Sequence, residues 1–459
     1  MTENSREFWN YTANSPNCAK AVRDTLQQYE KTLDEVTAFN ADSARYMTKC
    51  FETLQGLHEE LLHVQCWPHK LHHVGNTFQE TLPELNATVK HVKKVFLNTG
   101  KRKNNYLLFL QEKYPEEKKK WEGFPSPVIT RWNSWKKSVN YISEYFDDIL
   151  EFLQTLTRTD SDDHNFGEED VTDAGQTSGS IKWLLNLILK EREQIKVFAE
   201  FVAVKGEGVE IVIKQLQSKK VPTGHVVYQK LDIIERKFAL IISETSGWLK
   251  DLPYLSYFPS SKRKEYIVVL QNAAKVCRAA LVKFCNTDPA KELFLGLEAL
   301  LSPKSLGRSQ LPPNLVKEQM KKLPFIKKLS CEVFMTGQTA LMRMVREEMA
   351  KPDFKSLNLV SLLCALKAEH LQFSNACLKA LWILPANANS ERSISSYNIV
   401  VSDKRRKLKP ENAEMLTIVY FNPSEYNYNE KGSPLIDKDE DDIEMLHLSR
   451  QMSHCYTAV

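Results

Sequence analysis

Apolar positions near the start of the chain switch between helical spacing and short continuous runs. Over residues 19–35 they recur at three- and four-residue steps, which predicts a helix. The run "VTAF" at 36–39 predicts a short strand, the segment 40–57 a second helix, and "LLHVQCW" at 61–67 a buried strand. Asp42 stands where the first strand meets the second helix, so these elements form half of an α/β unit.

Helical periodicity dominates the rest of the chain. It continues through 78–155 and, with proline breaks, through 181–350. The stretch 159–180 is acidic, rich in Gly and Ser and poor in apolar residues, which predicts a disordered loop. A compact closing segment follows at about 355–422, in which "KALWILPA" at 379–386 favours a strand.

Composition adds two constraints. The 62 Lys and Arg residues against 58 Asp and Glu give a net charge of +4, too small to indicate a nucleic-acid partner, so local clusters must carry that argument. Nine cysteines without regular spacing favour free thiols in a reducing compartment. With no signal-peptide pattern and no long apolar run, the sequence predicts an intracellular protein without a membrane partner.

Two carboxylates could converge on a metal ion. Asp42 ends one predicted strand, and Glu391 follows the apolar segment at 379–386. Carboxylate oxygens are ligands that Mg²⁺ prefers, and paired metal ions assist phosphoryl displacement. The alternative for Asp42 is a helix N-cap, the commonest role of an Asp at a helix start.

Cys66 and His69 form a CxxH pair at a predicted strand-to-helix junction. The pair is half of a zinc site, but no second cysteine pair supplies the remaining ligands of a four-coordinate centre. Packing and orientation at the junction is the alternative.

The segment "TRWNSW" joins Arg131 to Trp132 after a proline-rich turn. Arg and Trp together can hold a phosphate and stack an exposed base. The alternative is a helix start with Trp132 in the core, the more common place for a tryptophan.

Two basic clusters are candidates for phosphate contacts. Each can also be a solvated loop or a nuclear-import patch. The clusters are Lys101, Arg102 and Lys103, and then Lys404, Arg405, Arg406 and Lys407.

Taken in order, these pieces resemble one family. The segment "PANANSERSISSYNIVVSDKRRKLKPENAEMLTIVYF" resembles the C-terminal dimerisation segment of hAT-superfamily (hobo/Activator type) transposases. Upstream, "VTAFNADSARYM", "CWPHKLHHVGN" and "TRWNSW" match that family's second catalytic Asp block, its CxxH and its Arg-Trp motif.

The resemblance implies an α/β plus all-α fold, in which a partial ribonuclease-H-like domain is interrupted by a large helical insertion domain. It makes Asp42 the second and Glu391 the third metal-binding carboxylate, both vestigial, and gives Arg131 and Trp132 a role at a flipped DNA base. The role of the CxxH pair stays open.

The chain also departs from the family pattern. A BED-type zinc finger and the first catalytic Asp are missing before Asp42, since Asp24 and Asp34 fall within the predicted first helix. Ile394 stands where the family has Phe. Without the first carboxylate, two-metal catalysis lacks a ligand, so we expect no transposition and no cofactor; Mg²⁺ would be required only if catalysis were retained.

These expectations define four regions and three hypotheses. The regions are a partial core at 1–110, an insertion domain at 111–350, a dimerisation segment at 351–422 that completes the core, and an acidic flexible tail at 423–459. The leading hypothesis is a non-enzymatic, transposase-derived nuclear protein that forms a homodimer or higher homo-oligomer, with DNA as a further partner. The alternatives are a fragment of an active Mg²⁺-dependent cut-and-paste transposase and a nuclear interaction scaffold without DNA affinity.

Overall fold

The computed structural model describes residues 14–97, 100–128, 130–162, 171–218, 221–243, 247–354 and 356–387. Within these ranges, 158–162 and 171–178 are described by their backbone alone. Most predictions for the closing segment and the tail lie outside the described residues, including Glu391, the cluster Lys404 to Lys407 and the dimerisation helix.

A small α/β unit opens the described chain. Helix α1 (Ser15–Gln28) leads to strand β1 (Ala38–Ala41), helix α2 (Arg45–Gln55) and strand β2 (Leu62–Gln65). The strands pair in parallel, with Ala38 opposite Leu62 and Ala41 opposite Gln65. Both strand predictions are therefore confirmed. Val36, Phe39 and Leu61 from the predicted segments pack in a small core with side chains of α1 and α2, whereas Val64 belongs to the main core.

The predicted first helix is too long at its C-terminal end. Glu30 has φ of 54°, in the left-handed region, so the chain turns away after Gln28. A short 3₁₀ turn at Leu33–Glu35 then begins the approach to β1. Asp34 consequently lies in this turn and only Asp24 lies in the helix.

Helices make up the remainder of the described chain, which confirms the mainly helical prediction. Prolines stand at the starts of many of them, where their missing N–H has no helical partner to lose. The helices are α3 (Trp67–Thr81), α4 (Pro83–Leu97), α5 (Gly100–Lys113), α6 (Trp132–Asp162), α7 (Val171–Lys190), α8 (Arg192–Lys205), α9 (Glu207–Leu216), α10 (Val227–Ser243), α11 (Pro253–Ser256), α12 (Ser260–Asn286), α13 (Lys291–Leu301), α14 (Pro303–Leu306), α15 (Pro313–Lys321), α16 (Cys331–Met349), α17 (Leu359–Ala365) and α18 (Leu371–Leu381).

Two predictions need correction. The acidic stretch 159–180 is helical at 159–162 and at 171–180, which belong to α6 and α7, and 163–170 lie outside the described residues. The segment 379–386 is not a strand, because α18 continues to Leu381 and ends at Trp382. Only Lys379, Ala380 and Leu381 of the segment are helical, and residues 382–386 follow the helix without forming a strand. A short apolar run does not distinguish these possibilities.

One apolar core extends from Val64 on β2 to Ile383 after α18. Helix α3 lies at its centre and is buried along most of its length. Apolar side chains on both sides of the predicted boundary at 110/111 belong to this core, for example Tyr106 and Phe152, whose ring centroids are 5.0 Å apart. The predicted domain boundaries remain a prediction.

Among the described helices, none is both long enough and apolar enough to cross a lipid bilayer.

Candidate functional site at the ends of the parallel strands

Asp42 lies directly after the last residue of β1, at the carboxyl end of the parallel pair. Its Oδ1 accepts a hydrogen bond from the backbone N–H of Ala44 at 3.1 Å, and Ala44 is the N-cap of α2. The carboxylate thus caps the turn before the helix, two residues earlier than the N-cap position. Its side chain is partly exposed, so it remains accessible from solvent.

A segment more than 300 residues later in the chain lies against this strand end. Asn40 Nδ2 donates to the backbone oxygen of Leu384 at 2.7 Å, and the N–H of Trp67 donates to that of Pro385 at 2.8 Å. Ala386 packs on Cys66 in a small buried cluster. The opening α/β unit and the last described residues of the chain therefore meet near the strand end that Asp42 follows.

Cys66 and His69 lie at the start of α3, directly after β2. The N–H of Cys66 donates to the backbone oxygen of Ala41 on β1 at 2.8 Å, and the thiol is buried. The ring of His69 lies 4.8 Å from that of His73, edge to face. No three His, Cys, Asp or Glu side chains converge as a metal-binding group among the described residues. The contacts of Cys66 are those of the alternative interpretation, packing at a strand-to-helix junction.

Arg131 and Asp42 both influence the pKa values of histidines in the first half of α3. The backbone N–H of Trp132 donates to Nδ1 of His72 at 3.1 Å, which places the exposed Arg131 beside this helix. Burial, followed by the charges of His69, Arg131 and His73, lowers the pKa of His72 to about 4, so this imidazole is neutral at pH 7. Burial and His69 also lower the pKa of His73, which the charge of Asp42 opposes.

Trp132 is a core side chain. It is fully buried, stacks on Phe78 with ring centroids 5.3 Å apart, and lies against Gly75 of α3. An indole enclosed in this way cannot stack a DNA base in this conformation, which corrects the base-stacking prediction for Trp132. Only Arg131 of the pair is open to a phosphate.

A buried ion pair that the sequence did not predict fixes α3 to the end of α12. Lys70 Nζ lies 3.0 Å from Asp288 Oδ1, and both side chains are almost completely buried. The other carboxylate oxygen accepts from Trp67 Nε1 at 3.0 Å and from the Tyr228 hydroxyl at 2.9 Å. Removing one partner from such a pair typically costs about 3–5 kcal/mol. No sequence signal links these residues, because more than 200 positions separate Lys70 from Asp288.

The described residues at this site do not match the ligands of a two-magnesium centre. The site offers one carboxylate, Asp42, together with the imidazoles of His69 and His73. Mg²⁺ prefers oxygen ligands in octahedral geometry, whereas imidazole suits softer transition metals. No catalytic step through a metal ion follows from these residues.

The residues of the first basic cluster, Lys101 to Lys103, have different roles. Arg102 donates to the backbone oxygen of Val95 at 3.1 Å and so helps to close the C-terminal end of α4. Lys101 and Lys103 are exposed at the start of α5. They remain candidates for phosphate contacts.

No protein-family model matches the chain, and no curated protein matches it either.

Proposed function

We propose that the chain is derived from a hAT-type transposase and acts in the nucleus as a self-associating protein that contacts DNA, without transposition activity of its own. One observation carries the proposal. Pro385, the first residue of the segment that resembles the family's dimerisation region, accepts a hydrogen bond from the N–H of Trp67, and Leu384 just before it accepts one from Asn40 of β1, the strand that Asp42 follows.

In the family, Asp42 and Glu391 would correspond to carboxylates of one centre. Glu391 comes four residues after Asn387 in the sequence and lies outside the described residues. Descent from that centre is therefore supported by the position of Asp42 at a strand end and by the contact of Leu384 with the same strand.

Contact with DNA is supported by Arg131 at the same end of α3. Its side chain is exposed beside His72, while Asp42 acts on His73 one residue further along the helix. The mixture of one described carboxylate with imidazoles favours a binding role over Mg²⁺-dependent strand cleavage.

Self-association is tested with the full-length protein by light scattering during size-exclusion chromatography at tens of micromolar. We expect the mass of a dimer or higher oligomer. In the family the dimerisation segment ends in an apolar helix, and the resemblance assigns Leu416 to it. Leu416→Pro should reduce the mass to that of a monomer, because proline breaks a helix and its packing. Leu416→Met is the matched control, since it conserves volume and should leave the assembly intact. A monomeric wild-type chain would refute the proposed self-association.

DNA contact and cleavage are measured on the same preparation. Binding to duplex DNA should weaken steeply with salt, and Arg131→Ala should reduce it. Nicking that requires Mg²⁺ or Mn²⁺ and disappears in both Asp42→Asn and Glu391→Gln would instead establish the active transposase. An assembled protein without affinity for DNA would be the scaffold.

A further inference from the structure

Trp183 is the only exposed tryptophan among the residues whose side chains the structure describes. It lies on α7, with 45% of its surface accessible. One face of the indole stacks on the ring of His91 from α4, with centroids 3.7 Å apart and an angle of 27° between the planes. Nearly half of the Trp183 side chain is therefore open to solvent, in contrast to the buried Trp132.

The His91 ring is itself held in place. Its Nδ1 lies 2.9 Å from the backbone oxygen of Ala87, one turn earlier in α4. Since a carbonyl oxygen only accepts, Nδ1 must carry the proton and donate it. The stacked pair therefore forms a flat aromatic surface whose orientation is set before any ligand arrives, which lowers the entropy lost on binding.

Lysines flank this pair along both helices. Residues 90–103 contain six Lys and Arg and no acid, although the whole chain is nearly balanced. Lys94 lies three residues after His91 and four after Lys90 on α4, so these residues occupy neighbouring positions on one side of the helix. Lys182 adjoins Trp183 on α7. All three lysines are exposed, and none forms an ion pair with a described residue.

The charge continues into the next helix. The hydrogen bond from Arg102 to Val95 brings the start of α5 beside the last turn of α4. The exposed Lys101 and Lys103 thereby extend the same positive region. We name the Trp183–His91 pair with Lys90, Lys94 and Lys182 the α4–α7 platform.

We propose that the α4–α7 platform binds single-stranded nucleic acid, with a base stacked on Trp183 and the neighbouring phosphates on the lysines. Exposed aromatic rings beside a positive groove are the general means of holding unpaired strands, because every base offers a flat face. A duplex offers no such face, since its bases are already stacked on each other. The proposal rests on the proposed DNA contact and specifies the strand state and the residues.

The test measures fluorescence anisotropy of labelled oligo(dT), oligo(rU) and a mixed-sequence duplex with the full chain. Trp183→Ala should weaken binding of the single strands by at least about fivefold. Trp183→Phe should retain most of the affinity, because it keeps an aromatic face. Tyr257→Ala is the matched control: Tyr257 is 81% exposed on another part of the surface and should have no effect. Unchanged thermal unfolding of each variant separates binding from folding.

The phosphate contribution is read from salt dependence. Replacing Lys90 and Lys94 together by Ala should reduce the slope of log K against log salt by about 0.7 for each phosphate of a single strand that these lysines neutralise. Equally weakened binding of oligo(dT) and oligo(rU) assigns the site to the base and phosphate chemistry that both share. Weakened binding of one alone assigns it to that nucleic acid.

Two outcomes separate this proposal from the proposed function. If single-strand binding depends on Trp183 while the duplex does not bind, the platform is supported and the duplex contact through Arg131 fails. If the duplex binds and Trp183→Ala leaves single-strand affinity unchanged, the platform is refuted and the proposed function survives.

Discussion

The indole of Trp132 fits against α3 only because position 75 is glycine. A Cβ built on Gly75 would lie 2.4 Å from Cδ2 of Trp132, far inside van der Waals contact. The same ring approaches Gly206 at the junction of α8 and α9, where a Cβ would lie 2.7 Å from Cζ2. Trp132 thus packs against two helix segments besides its own, and its burial follows from the absence of side chains at two positions distant from it in sequence.

We expect Gly75→Ala to lower the free energy of unfolding by about 1–3 kcal/mol, because the added methyl group overpacks the core. Alanine's higher helix propensity, worth about 1 kcal/mol, only partly offsets this cost. Gly179→Ala on α7 is the matched control: no atom of a residue whose side chain the structure describes would lie within 4 Å of its Cβ, so it should be neutral or stabilising. Urea unfolding measures both. A Gly75→Ala variant as stable as the wild type would contradict the close approach of Trp132.

At the scale of elements, the candidate site depends on the contact of residues 384–386 with Asn40 on β1 and with Cys66 and Trp67 just after β2. A two-stranded sheet is only marginally stable without further packing. Here two hydrogen bonds add to the strand ends. The N–H of Trp67 donates to the backbone oxygen of Pro385, and the Asn40 side chain donates to that of Leu384. The segment after α18 therefore stabilises the α/β unit.

Asn40→Ala should weaken the contact between this segment and β1. Removal of the hydrogen bond to Leu384 is expected to cost about 0.5–1.5 kcal/mol. Amide hydrogen exchange at Trp67, whose N–H donates to Pro385, should become faster, while exchange within α12 stays unchanged. Asn104→Ala, at an exposed position of α5, is the control. Unaltered protection of Trp67 in the Asn40 variant would show that the two hydrogen bonds are independent.

At the scale of the whole molecule, buried histidines make the free energy of unfolding depend on pH. Burial lowers the pKa of His72 on α3 and of His225 before α10 to about 4, and it also lowers the pKa values of His63 and His73. An unfolded chain would protonate each near its ordinary value of about 6.5. The stability that these groups contribute is therefore present above pH 6.5 and is lost as the pH falls towards 4.

For His225 we expect a decrease of about 2 kcal/mol in the free energy of unfolding between pH 7 and pH 5. In this range the histidine becomes protonated in the unfolded state and stays neutral in the folded state. His225→Gln should remove that part of the pH dependence. His58→Gln is the control, because it replaces a histidine that is only partly buried, in the loop before β2. Denaturant titrations at the two pH values provide the comparison, and identical pH slopes for wild type and His225→Gln would contradict the prediction.

The sequence by itself determined the local elements. Apolar spacing set both strands, most helices and the position of Asp42 at a strand end, because periodicity and turn chemistry act over a few residues. The strand predicted at 379–386 was wrong because a short apolar run does not by itself distinguish a strand from other buried structure. The loop predicted at 159–180 was wrong at 159–162 and 171–180, the parts that the structure describes, which are helical.

Only the tertiary structure decided which residues meet. The docking of Pro385 on Trp67, the enclosure of Trp132, the ion pair of Lys70 with Asp288 and the stacking of Trp183 on His91 all join positions far apart in the chain. For Trp132 and for Lys70 with Asp288 the physical reason is burial, because a buried polar or aromatic group requires a partner that local sequence does not specify. Trp183 is 45% exposed and meets His91 because α4 and α7 pack against each other.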